Sequence, residues 1–166
     1  MHNETNSSEF ISRVRPHQDI IHKVCFVYGR VAADRDDLAQ DILLQLWKSF
    51  GSFDGRSSFS TWMYRVALNT AITFRRRQKN PVQDYPEPRA ESTQLSELEL
   101  SADLKTLYRA IAQLSDIEKA IIMQWLDERS YRDIADTVGI SEKNVSVRLV
   151  RIRERLARLV REKEHP

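Results

Sequence analysis

The sequence predicts an all-α fold, two small helical bundles joined by a flexible linker. Three observations predict it. Apolar residues recur three and four apart along most of the chain, the period of a helix packed on one side. Gly and Pro are scarce, four and five in 166 residues, so little interrupts those helices. Three of the five prolines fall in one acidic stretch, PVQDYPEPRAESTQ, which reads as a linker. Hydrophobic residues make up 41% of the chain, enough for a core, and charged residues 30%.

In chain order, Met1 to Ser8 reads as a disordered lead. A helix or broken pair of helices follows from Glu9 to Gly29, carried by Phe10, Ile11, Val14, Ile20, Ile21, Val24, Cys25 and Tyr28, with Pro16 as the break. Asp34 is the expected cap of the next helix, DRDDLAQDILLQLWKSF, whose core face is Leu38, Ala39, Ile42 and Leu46. Leu43 and Trp47 lie beside that face, and Asp37, Gln40, Asp41, Leu44 and Lys48 fall on the outer side, a mixed surface that suits either solvent or a protein partner. Phe50 to Ser60 reads as a loop, with Ser58 or Ser60 capping the following helix. That helix mixes core positions Met63, Val66, Ala67, Thr70 and Ile72 with Trp62, Tyr64, Arg65 and Asn69. It ends in Arg75, Arg76, Arg77 and Lys79. Cations there complement the helix dipole, and aromatics followed by a basic run also suit unpaired bases and phosphates.

Beyond the linker, Leu100, Leu104, Leu107, Ile111 and Leu114 form one helical seam, and Ser115 with Glu118 a capping box. Ser130 caps a helix bearing Tyr131, Ile134, Ala135 and Val138 on one face. Gly139 turns the chain, and Ser141 caps a second helix with Val145, Leu149, Ile152, Leu156 and Leu159 toward the core. Lys143, Asn144, Ser146, Arg148 and Arg151 face elsewhere, and amide and guanidinium groups pair with base edges and phosphates. A charged helical hairpin would share this pattern, but the two caps, the turn glycine and the base-reading side chains favour a DNA-binding helix-turn-helix. The expected divisions are 9–80, a linker over 81–100, and 101–162.

The net charge is only +2, yet acids crowd the middle and arginines the two flanking parts, which hints at a polyanionic partner. Cys25 is alone in an apolar setting and reads as a buried hydrophobe. Asp36, Asp37 and Asp41 are the nearest approach to a carboxylate cluster, with no His or Lys converging on them, so no catalysis, cofactor or metal is expected. The polar N-terminus and the lack of a long apolar run predict a cytoplasmic protein without membrane insertion.

Three stretches in this order, DDLAQDILLQLWKSF, FDGRSSFSTWMYRVALNTAITFRRR and LSDIEKAIIMQWLDERSYRDIADTVGISEKNVSVRLVRIRERL, resemble the extracytoplasmic-function (ECF) group of the sigma-70 family, over about Phe10 to Leu159. The resemblance implies that Asp37, Gln40, Asp41, Leu43 and Trp47 grip the clamp helices of the RNA polymerase β′ subunit. It implies that Asp54, Arg56, Ser57, Trp62, Arg65 and Asn69 open and read the promoter −10 element, with Arg75, Arg76 and Arg77 on phosphates. Lys143, Asn144, Ser146, Arg148 and Arg151 would enter the −35 major groove. The implied partners are core polymerase, through β′ and the β flap, promoter DNA and an anti-sigma factor, with the chain a monomer in the holoenzyme. Larger sigma factors carry more aromatics for melting; here Met63 and Tyr64 follow Trp62. The rival reading is a stand-alone helix-turn-helix regulator whose N-terminal domain dimerises or binds a signal.

Overall fold

The structure, a computed structural model, describes residues 2–78 and 101–165, and the expected linker 81–100 lies outside the described residues. Helices form every described element except turns and loops. The N-terminal half holds α1 (His2–Val14), a 3-10 turn (Arg15–His17), α2 (Gln18–Tyr28), α3 (Ala32–Ser49), a second 3-10 turn (Phe50–Ser52) and α4 (Phe59–Gln78). The C-terminal half holds α5 (Ala102–Ile111), α6 (Asp116–Leu126), α7 (Tyr131–Val138) and α8 (Glu142–Glu164).

Each half is built on the apolar stripes its sequence carries. Ile20, Ile21, Val24 and Cys25 of α2 meet Leu38, Ile42 and Leu46 of α3 and Met63, Ala67, Leu68 and Ala71 of α4. In the second half Ile121 and Ile122 of α6, Ile134 of α7 and Val145, Leu149, Ile152 and Leu156 of α8 are buried. The Ser115–Glu118 capping box is complete, and Ser58, Ser101, Ser130 and Ser141 each accept a backbone N–H three residues on. Gly139 takes the left-handed conformation at φ 78° that closes α7.

Several elements depart from the expected pattern. Residues 2–8 are helical rather than a disordered lead, although Glu4 to Glu9 bury almost nothing. Phe10 and Val14 anchor the segment, and extending a nucleated helix by a polar turn costs little. Asp34 does not cap α3, which starts at Ala32 behind Val31 with no side-chain cap. Asp34 lies in the first turn and accepts a hydrogen bond from Gln78 Nε2 at 3.0 Å. Gly29 ends α2 as expected, but what fixes glycine there is proximity. A Cβ would come within 2.5 Å of Arg35 Cγ, whose buried guanidinium donates from Nε to the Gly29 carbonyl at 3.2 Å. Tyr64, not among the expected core positions of α4, is 1% exposed, whereas Leu104 in the expected α5 seam is 42% exposed. Tyr131, expected on the core face of α7, is exposed too.

Tyr64 is covered because the halves pack on each other, α5 lying against α2, and α6 and α7 against α4. The contact is largely polar. The Tyr28 hydroxyl donates to the Asp116 carbonyl at 2.7 Å, and the Tyr64 hydroxyl donates to the Asp127 carboxylate. Lys23 Nζ stands 3.6 Å from Asp127, and Arg75 Nε 3.6 Å from Asp116. Burial pushes both tyrosines well above their ordinary range, with the neighbouring carboxylates adding to it, so their hydroxyls remain donors.

Candidate nucleic-acid interface

Three surfaces emerge from this scaffold. The first is the outer side of α3. Burying Leu38, Ile42 and Leu46 on one side leaves Asp37, Gln40, Leu43 and Leu44 exposed on the other, with Asp41 and Trp47 partly covered. Leu43 and Leu44 are 42% and 47% exposed, an apolar strip edged by acids. Trp47 packs edge-on against Phe10 at 5.2 Å, so α1 fixes the end of this face. Surface patches of this mixed kind suit a protein partner.

The second is an aromatic platform at the base of the loop between α3 and α4. Phe53, Phe59 and Trp62 stack mutually with centroids 5.3–5.5 Å apart, and Phe50 ties them to Phe10. The Arg13 guanidinium lies over Phe53 at 5.0 Å and over Phe59 at 4.6 Å. Of these the sequence singled out only Trp62. The available signal was the pair of phenylalanines bracketing a Gly- and Ser-rich loop. Above the platform, Arg56 pairs with Asp54 at 2.9 Å while its side chain stays 90% exposed, a contact solvent keeps weak. Ser57 and Arg65 are partly buried and Asn69 is exposed. A rigid aromatic ledge beside exposed arginine fits unpaired bases.

The basic run after it is divided by the packing of the halves. Arg76 and Arg77 are exposed. Arg75 is 6% exposed and directed at Asp116, so in this arrangement it holds the halves together instead of facing solvent. The same packing covers the start of α4. Arg129, from the turn between α6 and α7, donates to Thr61 Oγ1 at 2.7 Å and to Ser60 Oγ at 2.9 Å. A cation there opposes the α4 dipole and is held by hydroxyl acceptors instead. Glu128 beside it has φ 59°, a left-handed conformation that a non-glycine residue adopts at some cost. Arg129 did not stand out in the sequence, and Ser60 stood out only as a possible cap, because the contact joins residues almost seventy positions apart.

The third surface is α8. Arg153 lies over the Trp125 ring at 4.8 Å and Arg155 pairs with Glu118 at 3.2 Å, so these two pin α8 onto α6. Lys143, Asn144, Ser146, Arg148 and Arg151 are exposed along its first half. With α7 packed behind it and the Gly139 turn setting the angle, this helix can enter a major groove.

Among the described residues no three His, Cys, Asp or Glu side chains converge as a metal site, and no helix is long and apolar enough to cross a membrane.

Comparison with known proteins places the chain in a family. The family model for sigma-70 region 2 matches residues 13–80, and the model for sigma-70 region 4 matches residues 104–156. The chain is 31% identical over 153 residues to the ECF RNA polymerase sigma factor SigM of Mycobacterium tuberculosis, covering 88% of this chain and 74% of that protein. It is 32% identical over 149 residues to the ECF RNA polymerase sigma-E factor of Escherichia coli, covering 80% and 78%. In fold it is similar to the sigma factor RpoE solved with the anti-sigma factor NepR from Bartonella quintana, at TM-score 0.74 and 21% identity over 92% of this chain and 97% of that one. CnrH, solved with the cytosolic domain of CnrY, superposes at TM-score 0.65 and 22% identity over 94% and 90%.

Proposed function

The chain belongs to the ECF group of sigma-70 RNA polymerase sigma factors, and from that premise we propose how its surfaces divide the work of promoter recognition. The 9–80 part acts as the sigma-2 domain. Asp37, Gln40, Asp41, Leu43 and Trp47 on α3 hold the β′ clamp helices, the acids giving orientation and the leucines the buried area. The Phe53–Phe59–Trp62 ledge, with Asp54, Arg56, Ser57, Arg65 and Asn69 around it, receives unpaired bases of the −10 element. Stacking offsets the cost of unstacking a duplex base. Arg76 and Arg77 neutralise phosphate, and Arg75 joins them once it leaves Asp116. The 101–162 part acts as the sigma-4 domain, with α8 in the −35 major groove and the β flap as its polymerase contact.

This division requires the halves to part. Elements centred at −10 and −35 are roughly 25 base pairs, ~85 Å, apart along B-DNA. A compact chain of this length is only ~40 Å across. The polar contacts from Asp116, Asp127 and Arg129 are therefore the ones that break when the protein engages polymerase and promoter. The sigma factor RpoE, of similar fold, was solved with the anti-sigma factor NepR, which supports an anti-sigma partner for this chain as well. The protein acts in the cytoplasm, as a monomer within the holoenzyme, and catalyses no reaction of its own.

One observation carries this reading beyond family membership. An aromatic cluster of Phe53, Phe59 and Trp62 sits on one half and an exposed basic helix after a tight turn on the other. A stand-alone regulator needs only the second. The test is reconstitution: purified protein, sigma-free core polymerase and run-off transcription from a genomic fragment pool. Promoter-specific transcripts that depend on the protein are expected. Footprints on duplex DNA without any binding to core would overturn the proposal in favour of the stand-alone regulator.

A further inference from the structure

The outward side of α8 holds two side chains that its polar DNA contacts do not use. Val147 and Val150 are 47% and 55% exposed, and Val150 is the most exposed of the large hydrophobic residues described. Helix geometry places them opposite the core: Val147 lies two positions from both Val145 and Leu149, which are buried. Lys143 and Arg151 share that outward side, each one helical turn from Val147, and Arg148 flanks it.

Scattered exposed valines are ordinary, but these two are neighbours three residues apart at the centre of a basic face. They gain nothing in the isolated protein, since β-branched side chains form helix less readily than the arginines around them. Their surroundings decide the occupant. Lysine and arginine on both sides select a polyanion, and an apolar group in the major groove of a polyanionic duplex is the 5-methyl of thymine. Side chains three apart on a helix sit about 5–6 Å from each other. Base pairs stack every ~3.4 Å, so the two valines reach methyl groups on adjacent or next-adjacent pairs. A branched side chain with a restricted χ1 makes that contact position-specific.

We propose that Val147 and Val150 determine −35 specificity by packing against the 5-methyl groups of two neighbouring thymines. The inference rests on the sigma-4 reading of α8 and adds an apolar component to the polar contacts assigned there.

The probe is a promoter fragment recovered by the run-off reconstitution, with single thymines of its −35 region replaced by deoxyuridine. Uracil keeps every hydrogen-bonding group and lacks only the methyl. Binding is measured for holoenzyme containing the full-length protein. Losing one methyl contact should weaken binding about fourfold, and at only one or two clustered positions. Val147→Ser and Val150→Ser remove both methyls, lie on the surface and should each erase the uracil effect at one position. Holoenzyme equally tight on every uracil-substituted fragment overturns the inference, as does a uracil effect of unchanged size in both variants. If core polymerase yields no transcript dependent on the protein, the sigma reading itself has failed. Promoter-specific transcripts with a uracil-insensitive −35 region count against the valines alone.

Discussion

Removing the Tyr64 hydroxyl should loosen the two halves without disturbing either core. The ring is 1% exposed and fills space in α4, which Tyr64→Phe preserves. What disappears is one hydrogen bond, from a buried neutral hydroxyl to the carboxylate of Asp127, which also faces Lys23 at 3.6 Å. A hydrogen bond to a charged group contributes ~1.5–3 kcal/mol, so the docked state should weaken about 10- to 150-fold relative to the parted one. Donor and acceptor dyes on Gln45→Cys and Glu154→Cys, both exposed positions, would report the separation. The native Cys25 would not compete for label: it is fully buried, and burial pushes its thiol up to about 12. Energy transfer is followed through a urea titration with helicity recorded on the same samples, so that transfer lost before helicity reads separation of folded halves. Asp127→Asn keeps an oxygen acceptor for the hydroxyl, so its effect should be smaller than that of Tyr64→Phe unless the charge carries the contact, and the double variant should be less than additive. Superimposable transfer curves for Tyr64→Phe and the parent would refute the assignment of docking energy to this contact.

Other outcomes follow from single sites. The Lys119 ammonium is 5% exposed beside Tyr28, and burial, helped by Arg75 and Arg30 and opposed by Asp116, lowers it from 10.5 to about 8. The parted or unfolded chain holds that proton more tightly between those values, so the docked state should gain stability as pH rises from about 8 to 10.5, then level off. The same transfer assay across that range checks it, and Lys119→Met should flatten the profile. Gly139→Ala should cost ~1–2 kcal/mol by denaturant melting, because φ is 78° and an added Cβ would meet nothing within 4 Å, leaving backbone strain as the whole effect. Replacing Asp37 and Gln40 together by alanine should weaken pull-down of core polymerase while leaving duplex affinity of the full chain unchanged, and lost duplex affinity would mean the α3 face serves DNA.

Local signals were legible in the sequence because they are local in physics. A serine three residues before a free N–H, a glycine at a left-handed turn, and apolar stripes at helical spacing need only near neighbours, so α2, α4, the capping box and the whole of α7–α8 could be drawn from the chain alone. The signals failed where a distant residue decided. Asp34 looked like a cap until Gln78, 44 positions away, used its carboxylate. Tyr64 stood outside the expected core positions until the other half covered it, and Phe53 and Phe59 looked like loop residues until Arg13 and Trp62 closed over them.

The sequence by itself determined an all-α chain, the position of its helix-turn-helix, and the family through three stretches in fixed order, since periodicity, capping and motif spacing are written residue by residue. Only the tertiary structure decided which cations are available. Arg75 read as a member of a basic surface, yet it faces Asp116, and Arg129, which gave no signal in the sequence, is held by Ser60 and Thr61. Charge is a property of a side chain, but its partner is a property of the fold, and here the partner comes from the opposite half of the chain.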